Sequence, residues 1–472
     1  MLTLADVIEA LSGQHPSGAQ HQISCTVIDS RQAIPGSLFV ALKGENQDGF
    51  DFLTDAFQNG ARYALVQQDP SDRYTTLDLR SSVGTIDLDE IIPPVCLQVE
   101  DSLVALQQVA RFWRRKFSLR VIGITGSVGK STTKELATEV LRQRYRTLKN
   151  PGNLNNEIGL PLTLLRLTEK HERAVLEMGF YVPGEIALLC DLALPQVGVV
   201  TNIGTVHAER AGSQDAIVKG KTELVQALPP AGEGVAILNF DDPLVRDMAL
   251  KTQADIFYYG LDPQADLWAE NVEGLGLEGI RFRLHYRNET IYLRVPLIGR
   301  HSVHTALRAA AIGLVEGLTW QEIINGLRSE QTQLRLVAVR TQSGALILDD
   351  TYNASPESTL AALNLLEELE GHRVAVLGDM LELGPYESQG HEMVGVRAAE
   401  VVDKLITVGE LGKLIAEAAS QAGLRQEDIT ALADSDEAIE YLQGRLHADD
   451  VVLIKGSHGM QMDRIVAALE NR

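Results

Sequence analysis

The sequence predicts an α/β protein of three domains: a small N-terminal α/β domain, a central parallel-sheet domain with a phosphate loop (P-loop), and a C-terminal Rossmann-like domain. Three observations predict it. The run from Val121 to Thr132 sends an apolar strand into a glycine-rich turn, Gly126-Ser127-Val128-Gly129, and then into a helix expected from near Thr133. Apolar strands follow at 174–179 and 197–202, each ending in polar residues, where open α/β sheets place ligands. From about residue 319 the same theme returns four times, with strands that end in Asp349-Asp350, Gly378-Asp379, Gly409-Glu410 and Lys455-Gly456. The expected boundaries are 1–100, 101–318 and 319–472.

Within the first hundred residues, short strands at 25–28, 37–42 and 63–66 alternate with short helices. The Asp- and Ser-rich stretch 69–90 reads as a loop. A helix is expected from Ser102 to Lys116, with apolar residues at helical spacing and a basic end suited to the helix dipole. Around 256–295 short alternating strands predict an antiparallel flap on the central sheet.

Composition bounds the reading. The 472 residues allow about three domains. With 45% hydrophobic and 22% charged residues, the chain can bury sizeable cores. The net charge of −22 argues against a general nucleic-acid or anionic-membrane surface, and solubility accounts for it. Cys25, Cys96 and Cys190 are scattered and odd in number, so a reduced, cytoplasmic protein is expected. No signal peptide is expected at the N-terminus, and no apolar run is long enough to span a membrane.

The glycine-rich turn carries the sharpest chemistry. Glycines let backbone N–H groups close on phosphate oxygens at a helix N-terminus. Lys130 can reach the outer phosphates and Ser131 can ligate Mg²⁺. The usual spacing places a glycine six residues before the lysine, where this chain has Ile124. An incidental Gly-Lys-Ser is the competing reading, but the strand before and the helix after favour ATP or GTP binding. Glu177 and His207 each follow an apolar strand, as Mg²⁺ ligands in a nucleotide fold would. Taken singly, each is equally a structural group. Lys219 and Lys221 lie on an expected helix whose plainest role is a solvated face. The loop Asn153-Leu154-Asn155-Asn156 reads either as a helix cap or as a binder of sugar or amide groups.

Here the motifs resemble a known family. Asp29-Ser30-Arg31 with the segment Pro35–Leu42, the compact loop Gly126–Thr132, the segment Gly152–Thr163, Lys221 in Lys219–Leu224, and Gly378–Gly384 are together similar to the Mur ligases over nearly the whole chain. Asp349–Pro356 and Gly378–Gly384 resemble the dipeptide-adding branch. The resemblance implies an ATP-dependent amide ligase joining D-alanyl-D-alanine to UDP-N-acetylmuramoyl-tripeptide through an acyl phosphate. It implies ATP contacts from Gly126, Ser127, Val128, Gly129, Lys130, Ser131, Thr132, His301, Arg335 and Asp350. Mg²⁺ would be held by Ser131, Glu177, His207 and Lys221, with Lys221 carbamylated. The catalytic set is then Lys130, Glu177, His207 and Lys221. Substrate contacts would come from Ser30, Arg31, Asn153, Asn155, Asn156, Tyr352 and Asn353. A monomer is the default.

Two departures stand out. Ser302 and Thr305 occupy positions where the family has asparagines, one of which contacts adenine, and Val337 stands near the place of a usual acidic residue. Two alternatives follow: another amino-acid ligase of the same fold, or a nucleotide-binding regulator that has lost catalysis.

Overall fold

The computed structural model describes residues 1–18, 21–44, 47–80, 86–204, 212–329 and 337–470. The described strands form three sheets, of five, nine and six strands. The chain divides into two compact units. The first comprises Met1–Gly123, Tyr145–Gly179 and Glu185–Gln196; the second comprises Ile124–Arg144, Phe180–Gly184 and Val197–Arg472.

The first unit holds β1 (Thr26–Val27), β2 (Leu38–Val40), β3 (Tyr63–Val66), β4 (Thr75–Asp78) and β5 (Val95–Gln98) in the order β1-β2-β3-β5-β4. All four pairings are parallel. β4 lies inside the stretch expected to be loop. It pairs on one side only and is largely half-buried, so its Thr-Thr-Leu-Asp sequence lacks the apolar run that marks a buried strand.

The helix Ser102–Arg115 belongs to the same unit. Asp101 caps it by accepting from the N–H groups of Leu103 (2.7 Å) and Val104 (2.9 Å). Leu106, Val109, Ala110 and Trp113 share its buried face at the 3–4 residue spacing of an amphipathic helix. Arg114 is buried too. Its guanidinium donates to the carbonyls of Ala193 (2.7 Å), Phe117 (2.8 Å) and Leu119 (3.3 Å), and burial draws its pKa down to about 10.

β6 (Arg120–Thr125) carries the chain from the first unit into the second. β7 (Thr147–Lys149) and β8 (Arg173–Glu177) form a parallel pair in the first unit. The second unit contains β9 (Val197–Val200), β10 (Val235–Asn239), β11 (Asp255–Gly260), β12 (Leu267–Gly274), β13 (Ile280–Tyr286) and β14 (Glu289–Val295), adjacent in that order. The flap is smaller than expected: β11 is parallel to both β10 and β12, and only β12, β13 and β14 run antiparallel. A two-residue turn, Arg287-Asn288, closes the last hairpin, with Arg287 at φ 52°.

The remaining sheet, also in the second unit, contains β15 (Val337–Arg340), β16 (Leu346–Asp350), β17 (His372–Gly378), β18 (Lys404–Val408), β19 (Ile429–Leu432) and β20 (Asp450–Lys455), ordered β15-β16-β20-β17-β18-β19. Only the β15 pairing is antiparallel. Side chains alternate between two cores: Ala375, Leu377 and Leu453 face one, Val374, Val376, Val452 and Ile454 the other. Such double-sided burial explains why these strands read as unbroken apolar runs. The carboxyl ends of β16, β20 and β17 lie side by side, with Lys455 paired in register to Asp350 on one side and Leu377 on the other. Among the described residues no helix is long and apolar enough to cross a membrane.

Arg114→Met should lower stability by about 2–4 kcal/mol, because it strips buried carbonyls of a charged donor. Urea titration followed by tryptophan fluorescence reads this. A change below about 0.5 kcal/mol, the size of an ordinary surface substitution, would show that water replaces the guanidinium.

Candidate active site

The phosphate loop lies in the second unit. Its helix begins at Lys130, three residues before the expected start, because Gly129 at φ 83° already turns the chain into helical register as the N-cap. The loop is held from the end of β9. Thr201 Oγ1 donates to the Val128 carbonyl (2.7 Å), the Asn202 side chain accepts from Val128 N–H (2.8 Å), and the Asn202 carbonyl accepts from Ser127 N–H (2.9 Å). Ser127 Oγ in turn accepts from Gly204 N–H (2.8 Å). Gly126 adopts φ 141°, and a Cβ there would fall 1.8 Å from Thr201 Oγ1. The position therefore admits only glycine, for both backbone and space.

Two lysines converge on one oxygen of this loop. Lys130 Nζ donates to the Gly126 carbonyl (2.9 Å) and to that of Ser127 (3.2 Å). Lys221 Nζ donates to the same Gly126 carbonyl (3.1 Å) and lies 4.8 Å from the Phe180 ring centroid. Lys221 is 1% exposed, whereas Lys219 is exposed. Burial, and then the neighbouring Lys130 charge, hold the Lys221 amine well below its ordinary pKa. Ser131 and Thr132 are half-buried in the first helical turn.

Farther along this unit, His301 is an exposed residue of the short helical turn Arg300–Ser302 that leads into the helix Val303–Val315. Desolvation, then His304, Lys455 and Arg308, push its pKa down to about 4. Ser302 Oγ donates to the Ile298 carbonyl (2.6 Å), and Thr305 Oγ1 accepts from Arg308 Nη2 (2.8 Å). At the end of β16, Asp350 accepts from Lys455 Nζ at 2.7 Å, and the same ammonium donates to the Asn353 carbonyl at 2.8 Å. Tyr352 and Asn353 are exposed, and Tyr352 meets the His458 ring edge-on at 6.3 Å. His391 is fully buried. Its Nε2 accepts from Met380 N–H (3.0 Å) and its Nδ1 faces the Glu387 carbonyl (2.7 Å), which assigns the proton to Nδ1.

In the first unit, Glu177 ends β8 as a buried carboxylate. Asn155 donates to Glu177 Oε1 (3.0 Å). The buried Asn150 side chain brackets the Glu177 backbone, accepting from its N–H (3.0 Å) and donating to its carbonyl (3.1 Å). The Asn156 side chain accepts from the N–H of Gly159 (2.9 Å), the first residue of the helix Gly159–Leu164, while Asn153 is exposed. Ser30 is buried, and Arg31 is exposed and paired to Asp29 at 2.7 Å. His207 and Arg335 lie outside the described residues. Among the described residues no cluster of three His, Cys, Asp or Glu side chains gathers as a metal centre.

The sequence reading missed Asn150, His391 and Arg308 as site-supporting residues. Asn150 follows β7, whose Thr-Leu-Lys sequence has no apolar run, and the other two sit mid-helix, so none of the three carries a local signal.

Three family models match: the Mur ligase catalytic domain at residues 22–83, the Mur ligase middle domain at 124–313, and the Mur ligase glutamate ligase domain at 334–458. The UDP-N-acetylmuramoyl-tripeptide--D-alanyl-D-alanine ligase of Bacillus subtilis is 35% identical over 99% of this chain and 98% of its own length. The chain belongs to the Mur ligase family. Relatives of the same name from Synechocystis and Escherichia coli are 36% and 34% identical, covering 94% and 99% of this chain and 91% and 98% of their own. Among solved structures, MurF from Acinetobacter baumannii matches with TM-score 0.84 and 30% identity over 99% of this chain and 98% of its own. MurF ligase from Thermotoga maritima, in complex with ADP, gives 0.78 and 28% over 95% and 97%.

The His301 environment predicts that this ring stays neutral throughout the physiological range. Unfolded histidine binds a proton near pH 6.5 and native His301 near 4, so acidification through that window costs the folded state stability. NMR titration of the ring protons should give a midpoint near 4. A midpoint at or above about 6 would mean that water solvates this exposed ring.

Proposed function

We propose that this Mur ligase joins D-alanyl-D-alanine to UDP-N-acetylmuramoyl-tripeptide, with cleavage of ATP to ADP and phosphate, in cytoplasmic assembly of peptidoglycan precursors. The observation that carries the reading is the meeting of Lys130 and buried Lys221 at the Gly126 carbonyl, in a chain matched nearly end to end by relatives of that name.

The chemistry starts with a poor electrophile. A carboxylate oxygen of the tripeptide attacks the γ-phosphorus, an O–P bond forms, and the bond to ADP breaks. The dipeptide amine, having lost its proton, then attacks the acyl carbon. The tetrahedral intermediate collapses and phosphate leaves. The first step brings two anions together, so cationic screening decides its rate. Lys130 and the N–H groups of residues 129–132, at the start of its helix, would orient the phosphates. His301, Arg335 and Asp350 would hold the rest of ATP. Ser30 and Arg31 would take the UDP end, Asn153, Asn155 and Asn156 the muramoyl part, and Tyr352 and Asn353 the dipeptide. The corresponding domains are 1–100, 101–318 and 319–472, in a monomer.

The donor set suits a hard cation. Ser131, Glu177, His207 and Lys221 would hold Mg²⁺, which supplies further neutralisation of phosphate charge. Burial and the Lys130 charge favour the neutral amine of Lys221, which is the form that adds CO₂. The resulting carbamate, formed with loss of a proton, turns Lys221 from a cation into an oxygen ligand. A nucleotide-binding protein without turnover is the second reading, favoured by the hydroxyls of Ser302 and Thr305, both of which are engaged inside the protein.

Two measurements test this. With ATP, Mg²⁺ and the UDP-tripeptide, phosphate release should require D-alanyl-D-alanine. Release with single amino acids instead points to another ligase step, and ATP binding without release points to the second reading. Lys221→Ala should lose activity by about a hundredfold or more, as for removal of a central electrostatic group, and recover part of it with added short carboxylic acids. An active Lys221→Ala enzyme would refute the carbamate.

A further inference from the structure

Arg308 sits in the helix Val303–Val315 and is 5% exposed. Its Nε donates to Thr133 Oγ1 (2.7 Å), its Nη2 to Thr305 Oγ1 (2.8 Å), and its Nη1 reaches the Tyr259 hydroxyl (3.4 Å). The Tyr259 ring centroid lies 5.8 Å from Cζ. Tyr259 continues the network: its hydroxyl donates to the Thr201 carbonyl (3.1 Å), and Thr201 holds Val128. These partners are neutral oxygens. Among the described residues no carboxylate pairs with this guanidinium.

A buried cation without an anion is costly, and hydroxyl partners satisfy its N–H groups without cancelling its charge. The location gives the charge a use. A Cβ built on Gly129 would lie 2.8 Å from Arg308 Nη2, so the guanidinium packs against the phosphate loop where the loop becomes helix. Thr133, which it holds, is in the first turn of that helix. The cation thus stands behind the backbone N–H groups that face an incoming anion, where low solvent access strengthens its field.

We propose that Arg308 is a positioning residue of the nucleotide site: it braces the phosphate loop against the helix Val303–Val315 and supplies, from behind the loop, a positive charge that the phosphates of bound ATP complete. The inference rests on the reading of this loop as the ATP site. It also gives the position of Gly129 a second reason to be glycine, since any side chain there would displace the guanidinium.

The test compares ATP with AMP, which share a base and sugar but differ in phosphate charge. Binding of each to the full chain is measured by calorimetry for the parent, Arg308→Met and Arg308→Lys, with circular dichroism as the check on folding. Arg308→Met should weaken ATP by about tenfold or more, and AMP by clearly less, because the lost term is electrostatic and grows with phosphate charge. Arg308→Lys should keep ATP binding within about threefold of the parent, since it retains charge while losing the planar fork. Equal losses for both nucleotides in Arg308→Met, or none, would reduce Arg308 to a packing residue and overturn the inference. If Arg308→Met does not fold, Arg308→Lys decides: a folded lysine variant that has lost ATP would overturn the role of charge. A parent chain that fails to bind ATP would overturn the ligase reading itself, a result distinct from any difference among variants.

Discussion

A loop that offers its N–H groups to a ligand cannot also use them to hold itself in place. Something else must fix the backbone, and here the end of β9 does so. Thr201 and Asn202 take up the Val128 carbonyl and the N–H groups of Ser127 and Val128. The rest of the site is arranged around that arrangement. Gly126 must pass so close to Thr201 that a methyl group would not fit, and its carbonyl is left pointing where two lysine ammonium groups can reach it. A carbonyl oxygen has two lone pairs, so it can serve both donors, but the two charges repel. Burial, and then the charge of its neighbour, make the Lys221 amine give up its proton more readily than an ordinary lysine does.

The electrostatics run against the composition. The chain carries 22 more acidic than basic charges, yet Lys130, Lys221, Arg308 and Lys455 gather within the second unit, all but Lys130 deeply buried. Of these, Lys455 has a carboxylate partner in Asp350, whereas Arg308 is held by hydroxyls. A negative surface around such a centre does not oppose anion binding at short range, because the site's own dipoles and cations act over a few ångströms while the surface charge is screened beyond about 8 Å at physiological salt.

Much of the architecture is legible in the sequence because buried parallel strands leave a strong mark. β17 and β20 are apolar on both faces, and their polar carboxyl ends point to the ligand edge. β4 left no such mark, since an edge strand of Thr-Thr-Leu-Asp is half-exposed and resembles a loop. The flap was over-extended for a related reason: the first four residues of Asp255–Gly260 are exposed or half-buried, so the strand lacks the uniform burial of an inner parallel strand although its neighbours run parallel to it. At the site, the phosphate loop was legible because its chemistry is local, with glycines, lysine and serine within seven residues. Asn150, His391 and Arg308 were not. Each works by bonding groups brought near by the fold: Asn150 the backbone of Glu177, His391 the N–H of Met380, and Arg308 side chains that lie up to 175 positions away. A buried polar residue advertises that it needs partners, but sequence does not say which.

The turn that leaves β16 shows how such a fold stays open to change. Lys455 holds it through the Asp350 carboxylate and the main-chain carbonyl of residue 353, not through the exposed side chains at 352 and 353. The path of the backbone is therefore set by a neighbouring strand, independently of which residues decorate the turn. Substitutions at those two positions can alter what the turn touches while its shape persists, so this segment can be retuned toward a different incoming group one residue at a time, without first rebuilding the loop.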